Sequence, residues 1–153
     1  MQSVQRKVFS SLGGHAMAAI LMIDDSPTVC LAVKAELLLD NHTVHRLEST
    51  IDAPNYLNQN HIDLIILDLQ MPRISGFGIG ALLKFFDKKK TPILIYSSRP
   101  LNELKMVAGL IGAVAFCEKM QPLKELRNLV SKIVGHQSYE ETLRNKTDEH
   151  QTI

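Results

Sequence analysis

Short apolar runs alternate with amphipathic segments along most of the chain. Four runs are nearly continuous aliphatic stretches, as is typical of strands buried on both faces, and a fifth alternates like an outer strand. The predicted strands are 18–23, 43–47, 62–67, 92–96 and 114–117. Segments with helical spacing of apolar residues predict helices over 26–40, 52–59, 75–88, 100–110 and 123–135. This order predicts a doubly wound α/β domain with a five-stranded parallel sheet and five helices.

Local residues mark several of the helix boundaries. Ser26 is suited to cap the first helix, and Pro27 favours its first turn. Gly112 allows a turn after the fourth helix. The apolar stripe of the last helix stops at Gly135, which is therefore predicted to end it.

The chain divides into three predicted segments. Residues 1–17 are polar and interrupted by glycines, and they are expected to form an N-terminal extension outside the fold. Residues 18–135 form the predicted domain. Residues 136–153 lack sustained apolar periodicity and are predicted to be a frayed or disordered polar tail. Because no further domain follows in this sequence, the domain is expected to act on its own.

Composition narrows the classes of partner. The 153 residues carry a net charge of +1, with 45% hydrophobic and 22% charged residues. This balance provides no positive field for direct binding of nucleic acid or of an anionic membrane. Cys30 and Cys117 fit neither a metal-binding spacing nor a disulfide framework. The longest apolar run, 16–23, is too short to span a bilayer, so we expect a cytoplasmic protein.

Polar side chains follow four of the predicted strands. Asp24 and Asp25 follow the first strand, and Asp68, Ser97 and Lys119 lie at the ends of the third, fourth and fifth. Parallel strands end at one edge of the sheet, so these groups are expected to converge there. Clustered carboxylates repel one another, and Mg²⁺ would relieve that repulsion. Asp68 could then be a nucleophile that forms an acyl phosphate, although an acid in this position can also be a helix cap or an ordinary loop residue.

These residues belong to a wider pattern. Residues 18–135 resemble the receiver domain of two-component response regulators, a flavodoxin-like fold. The matching segments are Asp24-Asp25, 68–76, 92–97, Gly112-Ala113 and 116–119. The 43-residue spacing from Asp25 to Asp68 (68 − 25) also fits the family.

The resemblance implies a phosphoacceptor and a metal site. Asp68 would receive a phosphoryl group from a sensor histidine kinase or a histidine phosphotransfer protein, as in a phosphorelay. Asp24, Asp25 and Asp68, together with the backbone carbonyl of Gln70, would hold Mg²⁺. The protein would be a switched binding module rather than a multi-turnover enzyme.

The resemblance also implies a switch. Ser97 and Lys119 would bind phosphoryl oxygens, and Ser97 and Phe116 would change conformation together. The face made by the fourth helix, fifth strand and fifth helix would then bind a downstream protein. Gln70 and Arg99 occupy the positions that tune phosphoryl lifetime.

One departure from the family pattern leaves an alternative open. The family has a proline, preceded by a cis peptide, after the lysine, whereas this chain has Met120. A cis bond before a residue other than proline costs about 3–4 kcal/mol. The Lys119–Met120 bond is therefore predicted to be either trans with a shifted loop or a strained cis bond. A displaced Lys119 would favour a degenerate receiver that binds its partner without phosphorylation.

Two further possibilities concern activity and assembly. Phosphohydrolases of the haloacid-dehalogenase type also use a strand-end aspartate, but they carry a second aspartate where this chain has Gln70. Mixed charges on the predicted fourth and fifth helices are compatible with a homodimer. These charges are Glu103, Lys105, Lys124 and Arg127.

Overall fold

A computed structural model describes residues 16–71, 74–75, 78 and 90–150. The elements in chain order are β1 (Ala19–Ile23), α1 (Pro27–Leu38), β2 (Thr43–Leu47), α2 (Ala53–Gln59), β3 (Leu64–Leu67), β4 (Gln70–Met71), β5 (Ile74–Ser75), β6 (Ile93–Ser97), α3 (Leu101–Ile111), β7 (Ala115–Glu118) and α4 (Leu123–His150). Five strands form one parallel sheet in the order β2-β1-β3-β6-β7. The predicted parallel α/β fold is confirmed, with β2 at an edge. Strands β4 and β5 form a separate antiparallel pair.

The central strands are buried because helices cover both faces of the sheet. Successive side chains of a strand point to opposite faces. Leu21 and Ile23 of β1 pack in the apolar cluster that α2 and α3 cover. Ile20 and Met22 pack in the opposite cluster, beneath α1 and α4. This two-sided burial explains the continuous aliphatic composition of β1, β3 and β6.

The predicted helix boundaries are confirmed at two places. Ser26 caps α1, because its Oγ accepts a hydrogen bond from the Val29 amide at 3.3 Å, and Pro27 lies in the first turn. Gly112 ends α3 in the left-handed conformation, with φ of 65°. A side chain with a Cβ adopts that conformation only at an energetic cost, so glycine favours a helix end here.

The prediction that the last helix stops at Gly135 is wrong. Helix α4 continues to His150, and residues 136–150 are helical rather than a frayed tail. Tertiary contact supports the continuation, since Gln137 Nε2 donates to the Asp63 carbonyl at 3.4 Å and Val134 is buried. Glycine lowers helix propensity by only about 1 kcal/mol, which such contacts offset. Polar composition alone therefore did not identify this helix.

The predicted helix over 75–88 lies almost entirely outside the described residues. Within it, Gly78 is helical, whereas Ser75 pairs with Gln70 in the antiparallel strands β4 and β5. The helix therefore does not begin at Ser75, because that residue belongs to strand β5. Most of the extension over 1–17 also lies outside the described residues. In the part of the chain that the structure covers, no helix combines the length and apolarity needed to cross a membrane.

Candidate functional site

Three carboxylates meet at the carboxyl edge of the sheet. Asp24 and Asp25 follow β1, and Asp68 follows β3, which pairs directly with β1. One oxygen from each carboxylate lies within 4.8 Å of the others. Asp24 and Asp68 are only 0% and 3% exposed, whereas Asp25 is exposed to solvent. The structure therefore brings together the acids that the sequence predicted to converge.

Backbone amides hold the two buried carboxylates in place. Asp24 Oδ1 accepts a hydrogen bond from the Ser26 amide at 2.8 Å, and Asp68 Oδ1 accepts one from the Gln70 amide at 3.1 Å. Each contact links an aspartate to the amide two residues later, a local turn that aspartate forms readily. The Asp68 amide also donates to the Ile23 carbonyl at 3.0 Å. These bonds aim both carboxylates into the site.

Lys119 connects the two buried acids. Its Nζ lies 2.8 Å from Asp24 Oδ2 and 3.3 Å from Asp68 Oδ2, and its side chain is 16% exposed. Burial by itself disfavours the ammonium. The hydrogen bond to Asp24 and the charges of both acids outweigh that effect and raise the pKa of Lys119. The lysine is therefore a firmly positive group between two negative ones.

The loop at Met120 does not displace this lysine. The described part of the chain contains no cis peptide bond, so the Lys119–Met120 bond is trans and the predicted alternative of a strained cis bond is wrong. The Lys119 amide donates to the Ser97 carbonyl at 2.9 Å, which extends the pairing of β6 with β7 by one residue. Met120 itself points into solvent and is 91% exposed. With Met120 in place of proline, Lys119 still contacts both Asp24 and Asp68.

The charges and donor atoms suit a divalent cation. These site residues comprise three carboxylates and one ammonium, that of Lys119. Together they carry two more negative charges than positive ones. Two of the carboxylates are buried, so water screens their repulsion poorly. Oxygen ligands and partial access to water match the preferences of Mg²⁺.

The remaining predicted residues lie around this centre. Ser97 is fully buried at the end of β6, and its Oγ accepts a hydrogen bond from the Arg99 amide at 3.3 Å. Arg99 Nη2 donates to the Leu69 carbonyl at 3.4 Å, and its Nη1 lies 3.6 Å from Glu103. Phe116 is half-buried against the cluster beneath α2 and α3. Gln70 is exposed beside Asp68.

Sequence reasoning missed three residues near the acids. Arg46 of β2 donates to the backbone carbonyls of Asp24 and Asp25. The Tyr96 ring centroid lies 5.8 Å from Lys119 Nζ. Cys30 Sγ lies 3.8 Å from the Asp24 carbonyl oxygen. Of the three, only Arg46 had a signal in the sequence, because it is a charged residue on the predicted outer strand.

Cys30 is unsuited to act as a thiolate in this site. Burial, and then the negative charge of Asp24, raise the pKa of its thiol. A thiol is a strong nucleophile or metal ligand only when it is deprotonated. The oxygen-bearing side chains therefore remain the reactive groups.

Comparison with known proteins identifies relatives. The family model described as "Response regulator receiver domain" matches residues 20–131. The chain is 26% identical over 115 residues to response regulator GtcR of Aneurinibacillus migulanus, covering 74% of this chain and 47% of GtcR. It is 31% identical over 104 residues to protein PilH of Pseudomonas aeruginosa, covering 67% of this chain and 86% of PilH. The chain spans about half the length of several curated relatives it matches.

A solved structure shares the fold. The crystal structure of response regulator protein TrrA from Thermotoga maritima, in complex with Mg²⁺-BeF, superposes with a TM-score of 0.66. The two sequences are 26% identical, and the alignment covers 76% of this chain and 99% of that one.

Proposed function

Because the chain belongs to the response regulator receiver domain family, we propose that it accepts a phosphoryl group on Asp68 and thereby switches a protein-binding face. The donor is a sensor histidine kinase or a histidine phosphotransfer protein, and the cofactor is Mg²⁺. The observation that carries the proposal is the convergence of Asp24, Asp25 and Asp68, with Lys119 between the two buried acids.

The three acids would hold the cation, and Asp68 would also receive the phosphoryl group. Asp24, Asp25 and Asp68, with the backbone carbonyl of Gln70, would hold the cation. Bound Mg²⁺ would neutralise negative charge on the phosphoryl oxygens. Asp68 attacks the phosphorus of the donor phosphohistidine, a P–O bond forms, and the P–N bond to the histidine breaks. The fixed direction of the Asp68 carboxylate, held by the Gln70 amide, supports this role.

Lys119 and Ser97 would receive the phosphoryl oxygens. Lys119 already contacts Asp68, so a shift away from Asp24 is enough for its ammonium to pair with an oxygen of the new group. Ser97 lies on the neighbouring strand β6, and its hydroxyl can rotate from the Arg99 amide towards that oxygen. Gln70 and Arg99 flank the site and would tune phosphoryl lifetime.

The switch would carry the change from Ser97 to a partner surface. Ser97 and Phe116 lie on paired strands, β6 and β7. Phe116 is half-buried, so it can exchange an inward orientation for an outward one without opening the core. The face formed by α3, β7 and α4 would then bind the downstream protein.

Labelling with a small phosphodonor tests the proposal. Wild-type protein with acetyl phosphate and Mg²⁺ should gain a hydroxylamine-sensitive acyl phosphate, whereas Asp68→Asn should gain none. Asp52→Asn, at an exposed aspartate before α2, is the matched control and should label normally. Wild-type protein that takes no label, or Asp68→Asn that keeps it, contradicts the proposal.

The same samples separate the alternative functions. A degenerate receiver would bind its partner equally well with and without Mg²⁺ and phosphodonor. A phosphohydrolase would turn over an aryl phosphate steadily. We expect no steady turnover, because Gln70 stands where such hydrolases have their second aspartate.

A further inference from the structure

Arg46 lies against the backbone of the acidic pair. Its Nε donates to the Asp24 carbonyl at 3.3 Å, and its Nη2 donates to the Asp25 carbonyl at 3.1 Å. Its third nitrogen, Nη1, lies 3.1 Å from Glu48 Oε1. The guanidinium therefore spans two successive peptide carbonyls, with Glu48 orienting it from the solvent side.

We propose that Arg46 is a positioning residue for the metal site. It holds the backbone of Asp24 and Asp25, so that both carboxylates are already in place when a divalent cation binds. This inference rests on the proposed function, because it assumes that these acids are the metal ligands. Arg46 donates to the backbone carbonyls of Asp24 and Asp25, and it therefore acts on the metal ligands through the main chain.

The need for such a contact differs between the two acids. Asp24 is already fixed by burial and by two hydrogen bonds. Its amide donates to the Leu47 carbonyl, and its carboxylate accepts from the Ser26 amide. Asp25 is exposed, so packing does little to restrain it. The Arg46 contact ties the Asp25 backbone to β2, which makes Asp25 the residue that gains most from it.

The planar guanidinium suits this task better than an ammonium. Its nitrogens stand in a rigid fork, so one side chain can satisfy two neighbouring carbonyls and a carboxylate together. A lysine ammonium is a compact charge on a flexible stem. Arg46→Lys therefore keeps the positive charge and loses the two-carbonyl contact.

The contacts of Arg46 with the backbone favour cation binding, whereas its positive charge disfavours it. A guanidinium near the site repels Mg²⁺, so removal of the charge alone would strengthen metal binding. Positioning and repulsion thus predict opposite results for a neutral variant. Arg46→Met and Arg46→Lys together separate the two contributions.

Calorimetric titration with Mg²⁺ measures the effect. We expect Arg46→Lys to bind Mg²⁺ about tenfold more weakly than wild type, because loss of a group that orients metal ligands commonly costs 10–100-fold in affinity. Arg46→Met should also bind more weakly. Arg127→Lys is the matched control, since Arg127 is similarly exposed (22% against 26%) but pairs with Glu36 on α1 and with Asp40 in the turn that follows α1.

A second measurement distinguishes positioning from general destabilisation. Amide hydrogen exchange at Asp24 and Ser26, whose amides donate to the Leu47 carbonyl and to Asp24 Oδ1, should accelerate in Arg46→Lys and remain unchanged in Arg127→Lys. Mg²⁺ affinity within about twofold of wild type in Arg46→Lys, or tighter binding by Arg46→Met, would overturn the inference.

The outcome for Asp25→Asn separates this inference from the proposed function. If wild type binds Mg²⁺ and Asp25→Asn loses the affinity while Arg46→Lys keeps it, only the role of Arg46 fails. If wild type binds no Mg²⁺, or if Asp25→Asn binds as wild type does, both the metal site and the role of Arg46 fail.

Discussion

Replacement of Lys119 by methionine tests the electrostatic balance of the site. The substitution keeps an unbranched side chain and removes the ammonium that contacts Asp24 at 2.8 Å and Asp68 at 3.3 Å. Two carboxylates that are almost completely buried would then face each other without a counter-charge. We expect Lys119→Met to destabilise the metal-free protein at neutral pH and Mg²⁺ to restore much of the loss.

The expected loss in the free energy of unfolding follows from the burial of Lys119, Asp24 and Asp68. Removing one partner of a buried ion pair costs about 3–5 kcal/mol. The lysine is 16% exposed, so some water reaches the site, and we expect a smaller loss of about 2–3 kcal/mol. With a urea m-value of about 2 kcal/mol/M, the unfolding midpoint should fall by about 1–1.5 M.

The contribution of Lys119 to the stability of the protein depends on pH. The pKa of Lys119 is raised in the folded protein above its ordinary value of 10.5. The folded state therefore holds this proton more tightly than the unfolded state does, and the lysine's contribution is fully present below pH 10.5. The contribution disappears as the pH rises through the folded-state pKa, so wild type and Lys119→Met should approach each other in stability in strongly alkaline solution.

Urea unfolding in EDTA and in saturating Mg²⁺ provides the assay. Lys124→Met, at an exposed lysine on α4, is the matched control and should unfold as wild type does. In Mg²⁺ the cation takes over neutralisation of the acids, so the gap between Lys119→Met and wild type should narrow. A loss in EDTA below about 0.5 kcal/mol, or an equal loss with and without Mg²⁺, would contradict a stabilising role for the Lys119 ammonium.

Two further predictions concern α1 and α4. Gly135→Ala should raise the free energy of unfolding by about 0.5–1 kcal/mol, because the helix continues through this residue and an added Cβ meets no atom within 4 Å. A decrease in the thermal midpoint would instead indicate that the helix ends there. Ser26→Ala should lower the free energy of unfolding by about 1 kcal/mol, since it removes the hydroxyl that accepts from the Val29 amide. The hydrogen bond from the backbone amide of residue 26 to Asp24 is kept. Urea unfolding that shows no loss for Ser26→Ala would mean that another group caps α1.

The strand pattern and the strand-end residues were predictable for a common reason. A strand buried on both faces needs a run of apolar residues, so β1, β3 and β6 are visible in the sequence. Parallel strands connected through helices must all end at one edge. The meeting of Asp24 and Asp68 therefore follows once the strand ends are known.

The error at the end of α4 shows where this reasoning fails. Helix propensity is a weak term, and Gly135 with its polar neighbours gave no local signal for a helix. The bond from Gln137 to the Asp63 carbonyl joins residues 74 positions apart. No local pattern contains such a contact.

The parallel α/β fold and the set of acids at its reactive edge can be read from the order of residues, because the spacing of apolar residues and the order of the strands are visible in the sequence. How those acids are held depends on contacts between residues that are far apart in the chain. It buries Asp24 against Lys119, leaves Asp25 exposed, and lays Arg46 across the backbone of both. Those details depend on side chains that reach between strands β1, β2 and β7, and their distances are set only when the whole sheet has formed.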